Sequence, residues 1–120
     1  MNIIEKIDGY LNEIKTTPEF DKAFEKWMKG AQKIINDNYE RMNYKNQSRT
    51  LSYKEGPKRI KIIQTNEAGH TSVFAFIDKA TGNVLKPASW SAPAKGARGN
   101  IFDKDNGLGR ITAYGPEYNR

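Results

Sequence analysis

The stretch that decides the fold is residues 71–100, TSVFAFIDKATGNVLKPASWSAPAKGARGN. Its first seven residues are rich in β-branched and aromatic side chains, which suit a half-buried strand. Residues 78–83 then supply the chemistry of a turn, in which Gly82 can adopt a positive φ without steric cost. The apolar pattern resumes at Val84 and stops at Pro87, which has no N–H to donate to a partner strand. The pattern predicts a β-hairpin.

Both faces of the first strand of this hairpin are apolar. Because side chains alternate along a strand, we expect Phe74 and Phe76 on one face and Val73, Ala75 and Ile77 on the other. A strand with two apolar faces is typical of a central position in a sheet that is covered on both sides.

Two helices are predicted before the strands. Residues 2–15 place apolar side chains at spacings of three and four. A second helix is predicted over residues 18–42, with Thr17 as its N-cap and Pro18 where a missing N–H does no harm. Its apolar stripe consists of Phe20, Phe24, Trp27, Met28, Ala31, Ile34, Ile35, Tyr39 and Met42.

Two more strands are predicted between the helices and the hairpin, over residues 49–54 and 58–65, with a turn at Gly56 and Pro57. Helices followed by consecutive strands indicate an α+β fold, and such strands pair most simply as an antiparallel meander. We therefore predict a short helix and a long amphipathic helix packed on a three- to four-stranded antiparallel sheet, followed by an irregular glycine-rich C-terminal segment.

The length predicts a single domain over residues 1–120. It divides into a helical part (1–42), a β meander (43–90) and an irregular C-terminal segment (91–120). Residues 91–93 are expected to open a short helical turn. The apolar side chains after them are expected to lie across the second face of the sheet.

The composition excludes several classes of protein. The 120 residues include no cysteine, which excludes disulfides and thiolate metal sites. No apolar run approaches the ~20 residues of a membrane-spanning helix, and the first residues lack the basic and apolar regions of a signal peptide. We expect a soluble, intracellular protein with no cofactor, no metal and no membrane partner.

The excess of basic over acidic residues is confined to the second part of the chain. The net charge is +6, with 7 basic and 8 acidic residues in 1–42 but 13 basic and 6 acidic residues in 43–120. An excess of this kind fits a polyanionic partner. A lysine-rich surface that keeps a small domain in solution is the alternative.

Catalytic motifs are weak throughout. His70 is the single histidine and has no cysteine or second imidazole beside it, so a surface histidine is the simpler interpretation. The stretch from Asp103 begins like a calcium loop but has Tyr114 at the twelfth position, where a bidentate Glu is required. Residues 107–109 lack the third glycine of a dinucleotide motif. We predict no catalytic residues and no enzyme activity. An enzyme that uses His70 with a carboxylate is the alternative.

One constellation of basic, polar and aromatic residues remains. Lysine and arginine neutralise phosphates, and an aromatic ring stacks on an unpaired base. Trp90 has an alternative role as a buried anchor, and Arg98 has one as a residue that pins a loop through carbonyl groups. The predicted nucleic-acid contacts are Arg59, Lys61, Lys86, Ser89, Trp90, Lys95, Arg98 and Asn100.

The same region resembles a small uncharacterised family of tailed-bacteriophage proteins. The resemblance consists of the strand 73–79, the Thr81-Gly82 turn and a Lys-x-Ala-Ser-Trp-x-Ala-Pro-Ala-Lys-x-x-Arg block at residues 86–98, with a closing Tyr-Gly-Pro at 114–116 and Tyr118. It implies a phage origin and no established activity.

Together these features predict a non-enzymatic phage protein that binds DNA or RNA through its basic β and C-terminal surface. The alternative is a virion or host-takeover protein that binds a phage or host protein. Either would act in the cytoplasm of an infected bacterium or in the virion.

Overall fold

The structure, a computed structural model, describes residues 13–42 and 48–118. Five strands form one antiparallel sheet in the order of the chain, and two short strands after them pair in a second, small sheet. The α+β class and the antiparallel meander are therefore confirmed. The elements within the described ranges are α1 (Pro18–Arg41), β1 (Arg49–Glu55), β2 (Arg59–Asn66), β3 (Thr71–Asp78), β4 (Asn83–Pro87), β5 (Pro93–Asn100), β6 (Ile111–Thr112) and β7 (Gly115–Pro116).

Helix α1 begins where the sequence predicts. The hydroxyl oxygen of Thr17 accepts a hydrogen bond from the N–H of Phe20 at 3.1 Å, and Pro18 occupies the first turn. Met42, predicted to continue the apolar stripe, lies just after the last helical residue and is 49% exposed. Within the described ranges, no helix is long and apolar enough to cross a bilayer. The residues of α1 buried against the sheet are Phe20, Phe24, Trp27, Ala31 and Ile35.

The predicted first helix, residues 2–15, lies largely outside the described residues. Residues 13–17 are described and are not helical. The N–H of Ile14 donates to the carbonyl of Pro57 at 2.7 Å. This segment therefore lies against the turn between β1 and β2.

The main sheet has five strands, whereas three or four were predicted. The additional strand is β5, which begins at Pro93, so the predicted helical turn at 91–93 is wrong. Its sequence contains no β-branched or aromatic residue, and glycine and proline are depleted in strands. Pairing with β4 imposes the extended conformation here, with irregular register on both sides of Leu85.

A β-bulge in β3 changes the predicted faces of this strand. Two consecutive residues of β2 pair with residues 75 and 73, so Phe74 is an extra residue between the two pairs. Phe74 therefore turns toward α1, where its ring centroid lies 6.3 Å from that of Trp27. Phe76 lies on the opposite face, so the two phenylalanines do not share a face as predicted.

The hairpin of β3 and β4 has the predicted turn. The N–H of Gly82 donates to the carbonyl of Asp78 at 2.7 Å, and its φ is 81°. A Cβ atom at this position would also lie 2.9 Å from the ring of Phe102. Glycine is therefore required for both conformation and space.

The chain after β5 packs on the same side of the sheet as α1, not across the second face as predicted. Ile111 is buried in the same apolar cluster as the helix. Leu108 approaches α1 at Gly30, where a Cβ atom would lie 2.3 Å from the leucine Cδ1. The side-chain amide of Asn106 donates to the carbonyl of Ala23 at 3.0 Å. The C-terminal segment and α1 thus cover one face of the sheet together.

The side chain of Gln32 covers part of the outer edge of β1. Its Oε1 accepts from the N–H of Leu51 at 2.8 Å, and its Nε2 donates to the carbonyl of Arg49 at 2.8 Å. The amide thus bonds the strand as a peptide group of a neighbouring strand would. One donor and one acceptor of the edge strand are satisfied from the helix.

Candidate nucleic-acid interface

The face of the main sheet opposite α1, called here the open face, presents three rows of aligned side chains. Residues directly opposite each other in an antiparallel sheet lie on the same face. The first row crosses all five strands and consists of Lys54, Lys61, Phe76, Leu85 and Ala97. The second row consists of Ser52, Ile63 and Val73, and the third of Thr50, Thr65 and Thr71. The first row is charged on β1 and β2 and apolar on β3 to β5, the second contains Ser52 and two apolar residues, and the third consists of threonines.

A basic pocket of about 280 Å³ lies at the charged end of this face. Lys54 and Lys61 stand directly opposite each other, and like charges in that position destabilise a sheet. The carboxylate of Glu55 also lines the pocket, but its Oε1 lies 2.7 Å from the buried Nζ of Lys79. A positive excess remains, which an anion would relieve. The cations that line the basic pocket are Lys54, Lys58, Arg59 and Lys61, with Phe76 and Ser91 beside them.

Trp90 lies next to these cations and is 52% exposed, so its interpretation as a buried anchor is wrong. The Nζ of Lys61 lies 4.4 Å from the centroid of its ring, in the geometry of a cation–π contact. The structure thus brings together three of the predicted contact residues, Arg59, Lys61 and Trp90.

The turn that carries Trp90 is held by its own hydrogen bonds. The N–H groups of Ala88 and Ser89 both donate to the carbonyl of Ala92, at 2.9 and 3.0 Å. The hydroxyl oxygen of Ser89 accepts from the N–H of Ser91 at 3.4 Å and of Ala92 at 3.2 Å. Ser89, predicted as a contact, therefore supports the turn, and the indole is held outward at its tip.

Buried Lys79 fixes the turn between β1 and β2. Its Nζ donates to the carbonyl of Gly56 at 3.0 Å and lies 2.7 Å from Glu55 and 3.8 Å from Glu13. Since this turn joins the strands that carry the basic pocket, Lys79 is a positioning residue for the cations there.

Arg98 is only 4% exposed and does not reach the surface. Its Nε donates to the carbonyl of Glu117 at 3.0 Å. Its Nη1 donates to the carbonyls of Lys95 at 2.8 Å and Gly96 at 2.6 Å. These contacts correspond to the alternative role of pinning a loop. Lys95 itself is exposed on β5.

Lys86 is engaged with the C-terminal hairpin. Its Nζ donates to the carbonyl of Pro116 at 2.9 Å and lies 4.1 Å from the ring centroid of Tyr118. The ammonium group is therefore bonded within the protein, although the residue is partly exposed.

Asn100 bridges the ends of β4 and β5. Its Nδ2 donates to the carbonyl of Thr81 at 2.7 Å and to the Oδ1 of Asn83 at 3.0 Å. Its own Oδ1 accepts from the N–H of Phe102 at 2.9 Å. The amide is thus occupied in holding the hairpin, and the structure does not bring it to the basic pocket.

Two cations of the basic pocket, Lys54 and Lys58, were not among the predicted contacts. The sequence could have indicated them, because basic residues cluster around the Gly56-Pro57 turn and Arg59 directly follows Lys58. Within the described part of the chain, the side chains of Lys54, Lys58 and Arg59 have no ion-pair partner.

The other motifs form turns. His70 is exposed, and its N–H donates to the side chain of Asn66 at 2.9 Å. The carboxylate of Asp105 accepts from the N–H groups of Gly107 at 2.9 Å and Gly109 at 3.0 Å, as in a turn. Among the residues that the structure describes, no group of three or more His, Cys, Asp or Glu side chains is placed to hold a metal ion.

Comparison with known proteins identifies a family whose function is unknown. No curated protein and no solved structure matches the chain. One family model matches residues 5–112, which include α1, strands β1 to β5 and both basic-pocket strands. Because this match spans most of the sequence, the chain belongs to a family of unknown function (DUF7717).

Proposed function

We propose that this chain is a non-enzymatic bacteriophage protein that binds nucleic acid through its basic pocket and the adjoining open face. The observation that carries the proposal is the direct opposition of Lys54 and Lys61 beside the half-exposed ring of Trp90. Two ammonium groups at opposed positions weaken the isolated fold. Bound phosphates would relieve this repulsion and release their own counterions.

The distribution of charge partners supports the same surface. On the helix, Lys29 and Lys33 are paired with Glu25 and Asp37, whereas Lys22 and Lys26 are separate exposed cations. The cations of the basic pocket face Glu55, which is engaged by Lys79, and Arg59 stands directly opposite Asp78 of β3. The pocket therefore keeps a positive excess that suits a polyanion.

The proposed contacts keep part of the predicted set and add two lysines to it. Arg59, Lys61 and Trp90 remain as contacts, and Lys54 and Lys58 join them. Lys95 is not kept, because it is exposed on β5 and does not line the basic pocket. We assign Lys86, Ser89, Arg98 and Asn100 to the support of the surface because their polar groups are bonded within the protein. The phage origin rests on the resemblance of the block at residues 86–98.

The proposal is tested by binding of labelled 20-nucleotide DNA and RNA, single-stranded and duplex, followed by fluorescence anisotropy at two salt concentrations. Four phosphate contacts predict that affinity falls about 50-fold (single strands) to 150-fold (duplexes) between roughly 50 and 200 mM salt. The variant Lys54→Ala/Arg59→Ala retains two of these contacts, so its affinity should fall only about 7- to 12-fold over the same range.

The matched control is Lys22→Ala/Lys26→Ala, which removes the same charge from exposed positions on α1. It should bind like the wild type if the contacts are local. Equal weakening in both double variants would indicate a general charge effect and would overturn the assignment of the surface. Absence of binding at about 50 mM salt would overturn the function itself. The alternative of a virion or host-takeover protein with a protein partner would then be preferred.

A further inference from the structure

The open face combines the two kinds of contact that an unpaired strand of nucleic acid uses. Such strands are bound by cations that follow the phosphates and by aromatic rings on which bases stack. Here the basic pocket supplies the cations, and the half-exposed Trp90 supplies a ring directly beside them. In a duplex the bases are already stacked on each other, so the ring would gain no stacking partner.

The ring of Trp90 is arranged to accept a base on one side. Lys61 occupies one face of the indole, at 4.4 Å from the centroid. About half of the residue is exposed, so part of the ring is accessible to a base. The hydrogen bonds of Ala88 and Ser89 to Ala92 fix the turn, so little conformational entropy is lost when a base stacks there.

The remainder of the open face suits bases more than a duplex backbone. Next to the first row, which carries Lys54 and Lys61, lie the partly exposed side chains of Ile63 and Val73, and beyond them the threonine row. Unpaired bases contact apolar surface through their faces and hydroxyl groups through their edges. The helix α1, which could enter a major groove in other folds, packs its apolar stripe on the opposite side of the sheet.

We propose that the open face binds single-stranded nucleic acid in preference to duplex, with one base stacked on Trp90 and the adjacent phosphates held by Lys54, Lys58, Arg59 and Lys61. This inference depends on the proposed function and specifies its ligand. Single strands of DNA and of RNA share the stacking and phosphate chemistry, and separate binding experiments distinguish them.

The test compares Trp90→Ala and Trp90→Phe with the wild type, using 20-nucleotide single-stranded DNA, single-stranded RNA and a DNA duplex at about 50 mM salt. We expect the wild type to prefer a single strand. Trp90→Ala should weaken single-strand binding about 5- to 150-fold, the loss of one stacked base. Trp90→Phe should restore part of the affinity because it keeps an aromatic ring.

Two further readouts separate stacking from a structural role. Because no charge is removed, Trp90→Ala should leave the salt dependence of single-strand binding unchanged. Duplex binding should change less than about twofold, since only unpaired bases stack on the ring. The control Tyr114→Ala removes another exposed aromatic ring, away from the basic pocket, and should have no effect. Circular dichroism establishes that each variant is folded.

The results distinguish the inference from the function on which it depends. Equal or tighter duplex binding, or unchanged single-strand binding in folded Trp90→Ala, would overturn the single-strand inference. If Lys54→Ala/Arg59→Ala still weakened binding in that case, the proposed function would stand. If the wild type bound none of the three nucleic acids, both would be overturned.

Discussion

Arg98 provides a direct test of whether a predicted contact residue has a structural role. The variant Arg98→Met keeps much of the apolar stem but removes the guanidinium group, which makes three hydrogen bonds to carbonyl groups. Hydrogen bonds from a charged donor contribute about 1.5–3 kcal/mol each. The three acceptors belong to exposed residues, so water can replace part of the loss. We therefore expect the free energy of unfolding to fall by about 2–4 kcal/mol.

Urea unfolding followed by far-ultraviolet circular dichroism measures this loss. With a slope of about 2 kcal/mol per molar urea, the midpoint should fall by about 1–2 M. The control is Lys95→Met, which changes an exposed cation on the same strand and should alter stability by less than about 0.5 kcal/mol. Nucleic-acid binding by Arg98→Met, measured under conditions where it is folded, should match that of the wild type.

Two results would refute this reasoning. If Arg98→Met unfolded at the same urea concentration as the wild type and Lys95→Met, the buried hydrogen bonds would not stabilise the fold as inferred. If it remained stable but lost affinity for nucleic acid, Arg98 would be a contact residue as first predicted.

Two further changes test the packing that positions the site. Gly30→Ala should gain about 1 kcal/mol of helix propensity but lose more through the clash with Leu108, for a net destabilisation of about 1 kcal/mol. In a Leu108→Ala background the same change should be stabilising. Urea unfolding of the wild type, the two single variants and the double variant measures the coupling between the two positions, and no coupling would mean that the contact is absent. Lys79→Met leaves the carbonyl of Gly56 and the carboxylate of Glu55 without their buried partner. We therefore expect the free energy of unfolding, measured in urea, to fall by about 2–3 kcal/mol and nucleic-acid binding to weaken. A variant as stable as the wild type would contradict the positioning role.

Local signals in the sequence predicted the helix and the central hairpin. Thr17 and Pro18 define the start of α1 because capping depends on residues adjacent in the chain. Gly82 marks the turn of the hairpin because its positive φ is a local requirement that glycine meets. The bulge at Phe74 was not predictable, because it depends on how β3 pairs with β2 and not on the alternation within β3.

Features that depend on distant parts of the chain were predicted less well. Strand β5 is extended because β4 pairs with it, although its own composition disfavours a strand. Arg98 looks like a surface cation in the sequence, and only the fold of the C-terminal segment around it shows that it is buried. Lys54 and Lys61 are seven residues apart, and the register of a hairpin brings them together.

The contact of Gln32 with β1 has a consequence for behaviour at high concentration. Exposed edge strands are the sites where sheets of neighbouring molecules join and aggregate. At Arg49 and Leu51 the helix already occupies the position that an incoming strand would take. Edge-to-edge growth there would first require Gln32 to give up both hydrogen bonds to β1. The amide of Gln32 therefore protects this part of the edge against aggregation.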